Sequence, residues 1–149
     1  MSILDKIFKK SAKSNDKKYD VFISYSSKDH TEADKVRYIL EENGVKCWIA
    51  PRDLLAGESF TTQIAGALKN SKADVLIYSM NACKSKYVAQ EIRMAFKEKM
   101  PIIAFNIDGS FPDDEMERYL TSLNWIVACP PSEEAYEILV DAVLRAISH

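Results

Sequence analysis

Glu91 is the residue of this sequence whose type and neighbours most strongly suggest chemistry. On a helix, the residues able to pair with it lie three or four positions away, and these are Tyr87, Val88, Met94 and Ala95, none of them basic. A helical glutamate is more often a solvated residue in an ion pair, but these neighbours disfavour that interpretation. A carboxylate bordering an apolar helix face is partly desolvated, and it can stabilise a positive charge that develops on a bound molecule.

A second group of polar residues lies near two strand ends. Ser24, Tyr25, Ser26 and Asp29 follow the first apolar run, and Arg52 lies in a later polar loop. Hydroxyl groups can bind a sugar, and a guanidinium group can bind a diphosphate. Simpler roles are equally open: Ser26 and Asp29 can cap a helix, Tyr25 can pack, and Arg52 can be a solvated loop charge.

The hydrophobic pattern predicts the scaffold that would bring these residues together. Short apolar runs predict strands at residues 19–25, 45–50, 73–80, 101–107 and 125–128. Helices are predicted at residues 31–43, from residue 60, after the third strand and at the end of the chain, with an irregular acidic stretch at about residues 109–123. This alternation indicates an α/β fold with a doubly wound parallel sheet, in which ligands bind at the carboxyl ends of the strands.

Apolar residues at helical spacing are expected to face the core. They are Val36 and Leu40; Phe60, Ile64, Ala67 and Leu68; Val88, Ile92, Ala95 and Phe96; and Ile138, Leu139, Ala142, Val143 and Ile147. Glu91 borders the third of these faces, early in the helix after the third strand, so it should point toward the crevice at the strand ends. Trp48 and Trp125 lie in or beside strands and are assigned to packing.

Several nucleotide-handling and hydrolytic motifs are missing from the sequence. The first strand–helix turn has no glycine, which excludes a GxGxxG phosphate cradle there, and no Walker-type GxxxxGK is present. The third strand ends at Tyr78, Ser79 and Met80, without the aspartate that a response-regulator phosphoacceptor needs. A hydrolase triad is disfavoured because the histidines are His30 and His149 and no GxSxG is present.

Composition and charge further limit the classes of protein to which this chain can belong. The 149 residues, 47% hydrophobic and 28% charged, suit one globular domain. Residues 1–18 carry six lysines and two aspartates, a charge of +4, so the net charge of -2 leaves -6 on residues 19–149, which disfavours nucleic-acid binding. Cys47, Cys83 and Cys129 are widely spaced, which predicts free thiols in a cytoplasmic protein and no metal site. No apolar run is long enough to span a membrane.

The amino-terminal segment of residues 1–18 is predicted to be separate from the domain at residues 19–149. Ile3, Leu4, Ile7 and Phe8 recur at helical spacing among lysines, so residues 1–10 could form a short amphipathic helix with weak membrane-surface or partner contact. The simpler alternative, which is favoured, is a frayed tail.

Three segments in order resemble the signature boxes of Toll/interleukin-1 receptor (TIR) domains, and together the resemblance covers residues 19–149. The first is YDVFISYSSKD and the second is GVKCWIAPRDLLAGESF, which contains the loop from Pro51 to Glu58. The third is SKYVAQEI, similar to the family's Ser-x-Trp-x-x-x-Glu segment, with Tyr87 in place of the tryptophan. The CWIAPRD form resembles prokaryotic members. The resemblance implies a flavodoxin-like three-layer sandwich around a five-stranded parallel sheet.

The resemblance also implies an activity, with NAD+ as a substrate and no cofactor. Glu91 occupies the position of the glutamate required for NAD cleavage, and Tyr87 would stack on a ring of the substrate. Nicotinamide and ADP-ribose, or a cyclic ADP-ribose variant, would be made in antiviral defence, signalling or virulence. The alternative is a non-catalytic adaptor. Both readings imply TIR–TIR self-association, involving the loop of residues 51–58.

The chemistry implied for Glu91 needs a single acidic residue. Breaking the nicotinamide–ribose bond develops positive charge on the ribose, which a fixed carboxylate stabilises. Nicotinamide leaves as a neutral molecule from a cationic ring, so the second carboxylic acid of ordinary glycosidases is not required.

Overall fold

The computed structural model describes residues 17–112, 114–120 and 124–148, and every structural statement below refers to them. The strands are β1 (Tyr19–Ser24), β2 (Cys47–Trp48), β3 (Ser71–Tyr78), β4 (Ile102–Asn106) and β5 (Asn124–Val127). The helices are α1 (His30–Glu42), α2 (Phe60–Lys69), α3 (Met80–Lys84), α4 (Lys86–Lys97), α5 (Asp114–Leu120) and α6 (Glu133–Ile147). The predicted amphipathic segment at residues 1–10 and the carboxyl-terminal His149 lie outside the described residues.

The strands form one parallel sheet in the order β2-β1-β3-β4-β5. Helices cover both faces, as the right-handed connections between parallel strands require. This confirms the predicted α/β class and the flavodoxin-like three-layer arrangement. Because all five strands run in one direction, their carboxyl ends form a single edge of the sheet.

The two faces of the sheet hold separate parts of the core. Successive side chains of β1 and β3 alternate: Val21, Ile23, Val75 and Ile77 pack with α1 and α6. The intervening Phe22, Leu76 and Tyr78 pack with α2, α3, α4 and α5. We call these the α1/α6 face and the α2–α5 face. Trp48 stacks on Phe22 in the second, with ring centroids 5.0 Å apart, which confirms its packing role.

Serine hydroxyl groups cap the first turns of four helices, including α3, where Ser79 accepts from the amide of Ala82. Ser59 accepts a hydrogen bond from the amide of Thr62, Ser85 from that of Val88, and Ser132 from that of Ala135. Each hydroxyl satisfies an amide that has no partner inside its helix. The Ser85 cap fixes where α4 begins, and therefore how far Glu91 lies from that beginning.

Several expectations about the fold were wrong in detail. The stretch expected to be irregular contains α5, because Met116 and Leu120, one helical turn apart, are both buried in the α2–α5 face. The second strand is shorter than expected. Phe60, Phe96 and Ile138 are about half exposed, because the contacting sheet covers a narrower helical stripe than the apolar pattern.

The remaining features concern thiols, metals and membranes. Cys47 and Cys83 are buried, Cys129 is exposed, and all three are free thiols. Across the described ranges, no cluster of three His, Cys, Asp or Glu residues is arranged to hold a metal ion. Nor does any helix within those ranges combine the length and apolar character needed to cross a membrane.

Candidate functional site

Glu91 lies in the first half of α4, one and a half turns after the Ser85 cap. Val88, Ile92 and Ala95 of the same helix are buried against the sheet, and Glu91 stands at the edge of this apolar stripe, partly exposed. The sequence interpretation of a carboxylate bordering the buried helix face therefore agrees with the geometry. The residues that it faces are at the carboxyl end of β1.

The environment of Glu91 favours its neutral form. Burial raises the pKa of the Glu91 carboxyl from the usual 4.5 to about 7, and the nearby Ser24 hydroxyl limits the rise. Among the described residues no lysine or arginine forms an ion pair with Glu91. A carboxyl group with a pKa near 7 is poised to exchange a proton at neutral pH, as catalytic carboxylates commonly are.

Ser24, the last residue of β1, connects Glu91 to a second carboxyl group. Its hydroxyl oxygen lies 2.8 Å from Asp74 Oδ2, within hydrogen-bond distance, and both side chains are fully buried. Asp74 lies in β3 and pairs with Phe22 of β1, so it faces the α2–α5 side of the sheet beneath Ser24. The sequence interpretation missed Asp74, although a lone carboxylate within an otherwise apolar strand was an available signal.

Tyr25 and Ser26 continue the chain from Ser24. The Tyr25 hydroxyl donates to the backbone carbonyl of Ala50, which ties the end of β1 to the segment before the loop of residues 51–58. Burial, and then the charges of Glu91 and Asp34, raise the pKa of Tyr25, so its ring lies within the electrostatic reach of Glu91. Ser26 accepts a hydrogen bond from the amide of Lys28, the capping role that was one of its two expected roles.

Asp29 belongs to a polar cluster at the end of β3. Its carboxylate accepts hydrogen bonds from the Ser79 hydroxyl and from Asn81 Nδ2, the latter at 3.2 Å. Ser79 also caps α3 by accepting from the amide of Ala82. The cluster links the turns after β1 and β3, and sequence reasoning did not identify Ser79 or Asn81 as part of it because their partner lies about 50 residues away.

Arg52 and Tyr87 occupy different settings from Glu91. The Arg52 guanidinium forms ion pairs with Glu41 at 2.9 Å and with Asp53 at 3.0 Å, and donates to the carbonyl of Cys47. These contacts hold the start of the loop against α1. Tyr87 is 78% exposed and, within the described chain, its ring contacts no aromatic or cationic partner.

Two open clefts lie away from Glu91. One, of about 690 Å³, is lined by the carboxyl-terminal half of α4 and by Tyr119 of α5; the other, of about 430 Å³, lies between α1 and α6. Neither is lined by Glu91, Ser24 or Tyr25. The polar residues with perturbed pKa values therefore direct attention to the strand ends, where Glu91 and Ser24 lie, and not to either cleft.

Comparison of the sequence with known proteins identifies the family that the signature segments resemble. The model of the family described as TIR domain matches residues 21–140. A protein of Methanobrevibacter olleyae named probable 2' cyclic ADP-D-ribose synthase TcpO is 25% identical over 138 residues, covering 90% of this chain and 40% of that protein. Protein toll of Drosophila melanogaster is 28% identical over 125 residues, and the match covers 74% of this chain and 11% of protein toll. The chain thus spans less than half of either relative.

Solved structures show the same fold. The TIR domain of the Toll-related receptor TRR-2 from Hydra magnipapillata superposes with a TM-score of 0.72 at 20% identity, covering 88% of this chain and 99% of that one. A TIR-STING receptor from C. gigas in complex with 2',3'-cGAMP gives a TM-score of 0.68 at 24% identity, covering 89% and 40%. The TIR domains of the activated Roq1 resistosome give 0.55 at 19% identity, covering 87% and 84%.

Proposed function

Because this chain belongs to the TIR domain family, we propose that it cleaves the nicotinamide–ribose bond of NAD+ and that Glu91 is the catalytic carboxylate. The observation that carries the proposal is the environment of Glu91: a partly exposed carboxyl group at the strand-end crevice, with a pKa of about 7. The similarity to a protein named as a cyclic ADP-ribose synthase supports the same chemistry.

In the proposed reaction the bond between the ribose carbon and the nicotinamide nitrogen breaks, and its electron pair stays with nicotinamide. The ribose is left with oxocarbenium-like positive charge, which the Glu91 carboxylate stabilises electrostatically. Water then adds to the ribose carbon and loses a proton, giving ADP-ribose. A hydroxyl group of the same molecule can take the place of water, which gives a cyclic product instead.

The surrounding residues take binding roles in this proposal. Ser26 and Asp29, in the turn after β1, are assigned to the hydroxyl groups of ribose, whereas Ser24, also expected to bind ribose, is fully buried and acts through Glu91 instead. Tyr25 lines the crevice, and Tyr87, whose ring is exposed one turn before Glu91, is free to stack on nicotinamide or adenine. Arg52 would meet the diphosphate only by exchanging its ion pairs with Glu41 and Asp53.

Self-association is the second part of the proposal, with the loop of residues 51–58 as the contact surface. Leu55 in this loop and Phe60 just after it are 61% and 56% exposed. Gln63 holds the loop by bonding both the amide and the carbonyl of Leu55, at 2.7 and 2.9 Å. A held loop presenting apolar side chains is suited to contact a second copy, and that copy would complete the pocket over Glu91.

An adaptor function without catalysis is the alternative that the similarity to protein toll favours. In that case the chain would act by assembly alone, and the Glu91 carboxyl would have no reaction to support. The two functions make opposite predictions for NAD+ turnover. We place either activity in the cytoplasm; weak membrane-surface contact of residues 1–10 also stays a prediction.

The test is nicotinamide release from NAD+ by protein clustered on a bead or scaffold. Wild type should release nicotinamide, and Glu91→Gln should lower the rate by about a hundredfold or more. Glu98→Gln is the matched control, because Glu98 is an exposed carboxylate at the end of the same helix and should leave the rate unchanged. No release from clustered wild type, or equal release from Glu91→Gln, would refute the catalytic function.

The assembly surface is tested in the same assay. Leu55→Lys places a charge on the proposed contact and should lower the activity of free protein at high concentration. Artificial clustering should restore it, because the substitution leaves Glu91 and its neighbours Ser24 and Tyr25 intact. Failure of clustering to restore the rate would contradict a role in assembly alone.

A further inference from the structure

Asp74 is a buried acid within the electrostatic reach of the proposed catalytic carboxylate. It lies in the middle of β3 with no exposed surface, and the Ser24 hydroxyl lies 2.8 Å from its Oδ2. Its other oxygen, Oδ1, has no hydrogen-bond partner within the described residues. Ser24 thus links Asp74 to the neighbourhood of Glu91, whose charge also acts on Asp74.

The surroundings of Asp74 determine its charge. Among the described residues no cation pairs with it, and an isolated buried carboxylate is costly enough that the group keeps its proton instead. Burial, and the nearby charge of Glu91 on α4, raise the pKa of Asp74 well above its usual range, while the Ser24 hydroxyl, which can donate to the charged form, opposes the rise. Tyr25, after β1, is the other titratable group that the Glu91 charge affects. Asp74 is therefore neutral at neutral pH.

The Ser24 hydroxyl has a single hydrogen; its oxygen lies 2.8 Å from Asp74 Oδ2 and is near enough to Glu91 to limit the rise in the pKa of that carboxyl. If Asp74 were charged, it would take that hydrogen and leave Glu91 without a donor. A neutral Asp74 carries its own hydrogen and can donate it to the oxygen of Ser24. The Ser24 hydrogen is then available to the carboxylate of Glu91.

We propose that Asp74 is a positioning residue for the reaction assigned above: as a neutral acid it donates to Ser24, and this turns the Ser24 hydroxyl toward Glu91. The inference depends on the proposed function for its catalytic consequence, but the arrangement itself does not need NAD+. Its effect is to hold the Glu91 carboxylate in one orientation and to favour the charged form that faces the ribose.

Two substitutions at position 74 separate this role from a structural one. Asp74→Asn retains a donor to Ser24, and should keep the rate of nicotinamide release within about twofold and the midpoint of its pH profile unchanged. Asp74→Leu has similar size but no donor, and should lower the rate at pH 7 by about tenfold and raise the midpoint by up to about one pH unit. Its unfolding transition reports whether it folds.

Ser24→Ala tests the path through the hydroxyl. Alone it should match Asp74→Leu, and the double variant should be no slower than Ser24→Ala, because Asp74 acts through Ser24. Additive losses would overturn the proposal. So would a lower midpoint in Asp74→Asn, which would mean that Asp74 is charged in the wild type and repels the Glu91 carboxylate.

A titration of the Glu91 carboxyl carbon by NMR, without NAD+, distinguishes failure of this proposal from failure of the proposed function. The midpoint should be the same in wild type and Asp74→Asn and higher in Ser24→Ala. If this pattern holds while clustered protein releases no nicotinamide, the positioning role of Asp74 is supported and the proposed cleavage of NAD+ is refuted. If nicotinamide release depends on Glu91 but Ser24→Ala does not change the midpoint of the Glu91 titration, only the positioning role of Asp74 is refuted.

Discussion

The two faces of the sheet differ in what they bury. Under α1 and α6 the core is built from aliphatic side chains, with Phe105 stacked on Tyr136 at 5.4 Å, and no carboxyl group of the described chain is buried there. The α2–α5 face buries Asp74 and much of Glu91. Buried carboxyl groups without cations destabilise a fold. The α1/α6 face therefore contributes mainly stability, whereas the α2–α5 face is less stable at the end where the proposed chemistry takes place.

The largest change expected in stability comes from the α1/α6 face. Leu139 of α6 is fully buried there, and Leu139→Ala should lower the free energy of unfolding by about 3 kcal/mol through lost burial and a residual cavity. Urea unfolding measures the loss. Nicotinamide release per folded, clustered molecule should be unchanged, and a variant that folds normally but loses turnover would contradict the separation of the two faces.

Unlike Leu139→Ala, Glu91→Gln should raise the free energy of unfolding at high pH. The folded pKa of Glu91, about 7, exceeds the ordinary 4.5, so its contribution to stability is complete below about pH 4.5 and is lost as pH rises through 7. Glutamine does not ionise. At pH 8 the variant should therefore be more stable than wild type by about 2 kcal/mol, a value reduced for the partial exposure of Glu91.

Urea unfolding at pH 5 and pH 8 checks this gain, with Glu98→Gln as the exposed control. The advantage of Glu91→Gln should be small at pH 5 and full at pH 8. An equal difference at both pH values would mean that burial of the charge is not its source.

Matched helix caps give the smallest effects and the sharpest comparison. Ser85→Ala on α4 and Ser132→Ala on α6 each remove a bond of 3.2 Å to a backbone amide, and each should cost about 1 kcal/mol. Only Ser85→Ala should also slow nicotinamide release, because α4 carries Glu91. Thermal unfolding and the clustered assay test both, and equal losses of turnover would show that activity follows overall stability.

Most of the fold could be predicted from the sequence, because apolar residues repeat with a different spacing in strands and in helices. The sequence interpretation missed α5, because the acidic residues around Met116 and Leu120 made the helical spacing of these two residues hard to recognise. It also overestimated the burial of Phe60, because apolar spacing gives the direction of a helix face but not its width.

Within the site, Glu91 could be predicted from its own helix, since its lack of a cation at helical spacing is a local property. The link between Ser24 and Asp74 could not, because the two residues are 50 positions apart and meet only through the pairing of β1 with β3. The ion pairs of Arg52 with Glu41 also depend on tertiary structure.

The pH dependence of nicotinamide release by clustered wild type is the most direct test of the central claim, that Glu91 acts as a carboxylate in a desolvating crevice. Because the charged form acts and its pKa is about 7, the rate should rise as pH increases through 7 and level off above about 8. A rate that is flat between pH 5 and 8, or that falls as Glu91 loses its proton, would contradict the account.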